Sequence, residues 1–490
     1  MKLSLSDLIA QATAADRPTI PTAEDMPGLG GVDPLGLRQI NFDLMDAALP
    51  GLNNVGRRIR PFVVVAWAAR QAIRLTEASA MTVTSDLLIR DFVDRIEVLF
   101  AWSQFLMDRD AQLPGRRVLK PFVEADRYVF HGKKWDDFKR NRQGSTAFTA
   151  AITYGPSIKA LKWAGPVVGA RYAWATSGLF EDALDAFEAN FADQLDHPAF
   201  SVLGKVSVDR DEVERWGKLW DMNDITEEEQ AAFADTLCGE LADAQRSQTL
   251  SLLQSVSDDD EEPEFAYLRA AMAEVDADAT STRHLWRRLQ VRQAFRYALE
   301  AWFYWCLAQL DPYPKSTPQL VQLFREKAGG WAANDRPGAW LKAPKQDCPV
   351  AFMGEIDDAM TALTTLPKAI CRTLAFCLNE VDADSRSRER LDRLPLWRAR
   401  SEAAAWRTSS PAEFISHMME TWLFAQHAYW SSSRSLADAR AGGKVILRLR
   451  VTLDEGGWRL TRLGAIGSRP YPTPDRLETA WRLARECLVL

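Results

Sequence analysis

Apolar residues recur at helical spacing along most of this chain, and only near its C-terminal end does the period fall to two. Leu88, Phe92, Ile96 and Leu99 mark one face of a helix that Ser85 caps and that runs to about residue 106. The longest helix is expected over roughly 281–310, and its second half, AWFYWCLAQL, is apolar on every side, which predicts burial all round. Ile356, Met360, Leu363, Ile370, Leu374 and Cys377 form a stripe interrupted by Pro367. Two capping boxes open further helices, Thr226 with Glu229 and Ser410 with Glu413, the second with Pro411 in its first turn. Nearer the start, a helix should end at Pro50-Gly51. Asn53 or Asn54 then caps the next, which is expected to cross Pro61 with a kink.

In KVILRLRVTL the apolar residues Val445, Leu447, Leu449, Val451 and Leu453 alternate with Arg448, Arg450 and Thr452, a strand with one face buried. Asp454–Gly457 reads as a hairpin turn, Trp458 onward as the return strand, and Thr473-Pro474-Asp475 as the start of a closing helix. The expected fold is mainly α: a multi-helix globular protein with a small C-terminal β-hairpin in a winged-helix-like end. The expected organisation is an arm at 1–32, a helical domain at 33–255 with a basic aromatic insert at 111–143, an acidic linker at 256–265, a helical domain at 266–440, and the hairpin-helix at 441–490.

Composition changes this picture at three points. Eighteen tryptophans are many for 490 residues and predict extensive helix packing, with aromatic contact surfaces as the alternative. Six cysteines without a C-x-x-C pair favour neither a zinc ribbon nor a disulfide framework. With no signal-like start and no apolar run long enough to span a bilayer, a cytoplasmic protein without membrane association is expected. The net charge of −7 hides a segregation: from Asp221 to Asp278 seventeen acids face two bases, a balance of −15 that leaves +8 for the rest. A modest net charge is therefore compatible with a basic face.

The phosphate-binding loop G-x-x-x-x-G-K-[ST] is missing, since Gly442-Gly443-Lys444 lacks the upstream glycine, and no dinucleotide fingerprint or nucleophile elbow occurs. Of the five histidines, His417 and His427 share an expected helix, but ten residues put them about 280° apart around it. His131-Gly132-Lys133 begins like a phospholipase D element, yet Phe138 stands where the aspartate belongs. No metal and no cofactor is expected.

Two basic constellations and one basic aromatic segment remain. Arg57, Arg58 and Arg60 sit at a helix start, against the favourable dipole, and so face either a partner or internal carboxylates. Arg448, Arg450 and Arg459 lie on the polar face of the hairpin at a spacing that suits successive phosphates. Lys133, Lys134, Lys139 and Arg140 interleave with Trp135 and Phe138, a composition suited to backbone contact and base stacking. For each group, a solvated or intramolecularly paired surface is the competing reading.

The segment DPLGLRQINFDLMDAALPGLNNVGRRIRPFVVVAWAARQA resembles the N-terminal part of a family of bacterial proteins found among phage-defence and DNA-modification genes. Its leucine-glycine start, proline-glycine turn, arginine-rich step and apolar run ending near a tryptophan carry the likeness. PTPDRLETAWRLARECLVL is similar to that family's closing helix. The resemblance implies a bacterial defence setting and no catalytic motif. The leading expectation is a non-enzymatic accessory or scaffold subunit of an anti-phage system that binds nucleic acid, DNA being the candidate, or an effector protein. The alternatives are a nuclease whose carboxylates assemble only in the fold, and a purely protein-binding module.

Overall fold

The computed structural model describes residues 33–54, 56–78, 86–107, 113, 119, 122, 124–141, 155–167, 174–176, 178–257, 263–276, 278–342, 348–380, 393–440, 448–461 and 466–488. The expected arm at 1–32, the core of the acidic linker and the first residues of the expected C-terminal strand lie outside them. The fold is mainly α. Among the described residues the strands form three two-stranded antiparallel sheets.

The chain divides into two compact units, each assembled from both ends of the sequence: residues 1–44 with 273–473, and residues 45–272 with 474–490. Chain order alone suggests a cut within the acidic linker and another before the hairpin. Instead the hairpin belongs to the unit of the longest helix, and the closing helix Leu477–Glu486 to the other.

The first unit is organised by Thr282–Gln309, whose N-terminus Ser281 caps by accepting from the His284 amide at 3.1 Å. Its all-round apolar second half is buried, as the pattern predicts, among Thr317–Ala328, Pro349–Ala359 and Leu366–Asn379. The proline that interrupts the apolar stripe, Pro367, stands in the first turn of Leu366–Asn379, where its missing amide is harmless. The Ser410–Glu413 box forms as expected, but Pro411–His417 passes into a π-helical stretch, Met418–Ala425, before α-helix resumes over Gln426–Arg440.

Three side chains at the start of that last helix read consecutive carbonyls of the Asp33-Pro34-Leu35 segment. Gln426 Nε2 donates to Leu35 O at 2.9 Å, His427 Nδ1 to Pro34 O at 2.8 Å, and Trp430 Nε1 to Asp33 O at 2.9 Å. Gly36, at φ +74°, lies under the Trp430 ring, where a Cβ would come within 2.4 Å.

In the second unit Arg60–Ala78 packs against Asp86–Met107, with Glu181–Ala189, Arg210–Leu219 and Glu227–Leu237 completing the core. Trp67 meets Phe187, Phe191 and Phe200 edge-on at 5.0–6.2 Å. Pro61 falls at the second position of its helix, so the expected kink is not needed. Asn53 caps no helix. Its Oδ1 accepts from Gly56 N at 2.7 Å and closes a turn. Among the described residues eleven tryptophans have under 2 % of their surface exposed, which makes most of this residue type core material.

Candidate functional site

The arginine-rich step is consumed internally. Arg57 pairs with Glu478 at 2.7 Å. Arg58 pairs with Glu486 and also donates to Met222 O at 3.1 Å and Asn223 Oδ1 at 2.9 Å. Arg60, fully buried, donates to Glu229 at 2.9 Å and to the Asp224 carbonyl. The other oxygen of Glu486 accepts the Ile59 amide at 2.7 Å, so a carboxylate from the closing helix occupies the positive end of Arg60–Ala78. Arg70, farther along that helix, holds Glu181 and Asp185 at 2.7 Å and Glu188 at 3.0 Å. Of the two readings left open for the step, internal carboxylates are what the structure provides.

The hairpin also departs from the expected polar face. Its strands are Val451–Asp454 and Gly457–Leu460, with Leu453 opposite Trp458. Arg450, placed outward by the alternation, is buried: its amide donates to His427 Nε2 at 2.9 Å and its Nη1 to Ile466 O at 3.1 Å. Leu453, placed inward, is 61 % exposed because it stands at the hairpin tip beyond the core. Arg448 is half-buried, and Arg459 is exposed but paired with Asp454 at 2.9 Å. The three arginines therefore share no common face.

The basic aromatic segment divides. Strand Arg127–Phe130 pairs with Val206–Asp209 and turns Tyr128, Phe130, Val206 and Val208 inward. Trp135 is fully buried, donates to Asp91 at 2.6 Å and stacks on Phe138 at 5.5 Å, so these rings are engaged with each other and not offered to bases. Lys139 pairs with the same aspartate. Arg140 lies in the helix Lys133–Asn141, and its side chain is outside the described residues. Lys133 and Lys134 are exposed at the start of that helix, Lys134 5.1 Å above the Tyr128 ring. Lys205 is exposed just before Val206, the residue paired with Phe130. These three lysines make no ion pair among the described residues. Val129, 40 % exposed, lies on the outer face of the sheet, and Arg127 is paired with Asp209.

Composition did not single out the second candidate, a cleft in the first unit. Glu300, on the longest helix, has a fully buried side chain that holds Arg296 at 2.6 Å one turn away and Arg38 at 3.5 Å. Arg38 lies 4.7 Å over the Tyr471 ring, and Arg296 Nη2 donates to Tyr471 O at 3.0 Å. Arg38, Glu300, Arg450, Arg469 and Tyr471 wall a shallow, solvent-open cleft. Burial lowers the Arg450 pKa, with Glu300 opposing. Asp33, whose carboxylate accepts from the Leu37 and Arg38 amides at 2.9 and 3.3 Å, is pushed up to about 6 by burial and then by repulsion from Glu300. The signal for this cluster was in the sequence: Arg288, Arg292, Arg296 and Glu300 recur every four residues along a helix whose second half is otherwise apolar.

Among the described residues no three His, Cys, Asp or Glu side chains could hold a metal ion together, and no helix is long and apolar enough to cross a membrane. No protein-family model matches the chain, and no curated protein or solved structure matches it.

Proposed function

We propose that this protein is an accessory subunit of a bacterial anti-phage defence system, working in the cytoplasm, and that it binds nucleic acid through exposed lysines beside the sheet formed by Arg127–Phe130 and Val206–Asp209. The observation that carries this reading is the exposed set Lys133, Lys134 and Lys205, drawn from a helix start and the approach to a strand and left without carboxylate partners among the described residues. Ammonium groups of this kind contact phosphate without reading sequence, so the expected binding is weakly sequence-selective and strongly salt-dependent.

Fluorescence anisotropy of the whole chain with a short duplex and a single strand, at about 50 and 200 mM salt, tests it. Binding should fall steeply with salt. Replacing Lys133, Lys134 and Lys205 by alanine should flatten the duplex salt slope by about 2.7, near 0.9 for each lost phosphate contact. Absence of binding at the lower salt, or an unchanged slope in the triple variant, overturns the proposal. Effector binding is a second reading, favoured by exposed Tyr313 (72 %) and Leu453 (61 %) on segments tied together by the Lys315–Trp458 bridge. It predicts stable co-purification with a protein partner that is lost when both residues become serine.

A further inference from the structure

We propose that the lysines beside the sheet form a rigid frame for double-stranded nucleic acid, and that Asp91 and Arg95 are its positioning residues. The inference rests on the nucleic-acid reading above and names the ligand class of that same site.

Phe130 and Val206 are the last pair of the ladder. Lys205 stands one residue before Val206 and Lys133 three residues after Phe130, so both lie at the same end of the sheet. Chain geometry alone keeps their Cα atoms within about 21 Å of each other. A duplex carries one charge for about every 1.7 Å of its axis, so a fixed basic patch of this span meets several phosphates at once.

Two buried side chains one turn apart on Asp86–Met107 fasten both lysine-bearing segments. Asp91 accepts from Trp135 Nε1 at 2.6 Å and pairs with Lys139, which ties down the helix Lys133–Asn141. Arg95 donates to the carbonyls of Ala199, Val202 and Gly204 at 3.0, 2.6 and 2.9 Å, the last of them next to Lys205. Burial pushes the Arg95 guanidinium down to about 10, with Asp91 opposing. A cation buried at that cost on the main chain of one short loop fixes the course of the loop. Gly204, at φ +98°, makes the turn into the strand.

A single strand is held by base stacking as well as by charge. Here Tyr128, Phe130 and Trp135 are buried, Phe122 packs on all three at 4.1–6.4 Å, and Lys134 lies over the Tyr128 ring. The rings of this segment are engaged with one another, which leaves a fixed pattern of ammonium groups. A stiff double helix presents phosphates ready to match such a pattern, whereas a flexible strand must first be ordered and gains no stacking from these rings in return.

Fluorescence anisotropy of the full chain at about 50 mM salt, with DNA and RNA duplexes of about 20 base pairs and their component strands, tests the inference. A duplex should bind about tenfold or more tighter than its strands, and the tighter of the two duplexes identifies DNA or RNA as the source. Arg95→Lys cannot hold three carbonyls and frees the Lys205 loop. It should weaken duplex binding about tenfold and single-strand binding less than about twofold, so that the preference collapses. A residue that only supports folding would weaken both alike. Trp135→Phe, which keeps a ring and breaks the bond to Asp91, should act in the same way from the helix side. Gly204→Ala strains the same loop, has open space around its Cβ, and replaces Arg95→Lys should that variant fail to fold. Strands that bind as tightly as duplexes, or a preference unmoved by these variants, overturn the inference and leave the nucleic-acid reading standing. No binding of any probe overturns both.

Discussion

Arg60 and Glu229 meet at 2.9 Å with neither side chain exposed to solvent, although 169 residues separate them in the chain. Burial raises the Glu229 pKa and lowers that of Arg60, so for each partner desolvation outweighs the attraction of the other. Glu229 also serves its own helix, since its Oε2 accepts the Thr226 amide at 2.8 Å and completes the capping box of Glu227–Leu237. Arg60→Met leaves that carboxylate buried without its cation and should destabilise the protein by about 3–5 kcal/mol in urea unfolding. Adding Glu229→Gln removes the stranded charge while keeping an acceptor for the cap, and should restore most of the loss. A double variant no more stable than the single one would mean that the two residues are not coupled.

That pair marks how far the sequence could be read. Local signals were legible because they act within a few residues. Thr226 and Ser410 cap the helices they were expected to cap, the all-apolar half of Thr282–Gln309 is largely buried, and Asp454–Gly457 turns the hairpin. What the sequence concealed are partners brought together only by the fold. Glu486 reaches Ile59 across 427 residues and His427 reaches Pro34 across 393, and no periodicity encodes either meeting. The same cause moved the candidate site. Alternation placed Arg450 on the solvent side, but the His427 ring and the Ile466 carbonyl hold it inside. The arginine step stayed open between a partner and internal carboxylates because those carboxylates come from segments more than 160 residues away.

Two neighbouring groups should nearly cancel each other's dependence on pH. Asp33, pushed up to about 6, is protonated in the folded state where the unfolded carboxyl, near 3.8, is not. It therefore adds stability as pH falls through 6. His427, pushed down to about 4 by burial with Arg450 adding to the effect and its bond to Pro34 O opposing, stays neutral while the unfolded imidazole protonates near 6.5. It removes stability over nearly the same range. Each effect is on the order of 3 kcal/mol at its limit. Between pH 6.5 and 4, Asp33→Asn should lose more stability than the parent protein, and His427→Gln should lose less. Urea unfolding across that range checks both slopes, and parallel curves for the three proteins would refute the assignment.

Gly36 tests whether the Asp33–Leu37 segment is as tightly seated as its contacts imply. An alanine there must hold φ near +74° and press its Cβ to 2.4 Å from the Trp430 ring, displacing the indole that donates to Asp33 O. Gly36→Ala should therefore lower stability by about 2 kcal/mol or more, through strain and a broken buried hydrogen bond together. Gly178→Ala, with open space around the new Cβ, is the matched control and should be close to neutral. Thermal melts of the two variants give the comparison.

The cysteines give a direct measure of core closure. Cys306, Cys371, Cys377 and Cys487 are buried, and burial pushes all four thiols far up, which leaves almost no thiolate to react. Cys238 and Cys348 are only half-buried, although burial raises the Cys238 thiol as well. In the native protein an aromatic disulfide reagent should therefore release a fast phase of no more than two thiols, against all six in denaturant. Cys348→Ser should remove one thiol from that phase, and Cys306→Ser should leave it unchanged. A fast phase of three or more would mean that a buried helix opens to solvent far more readily than its packing implies.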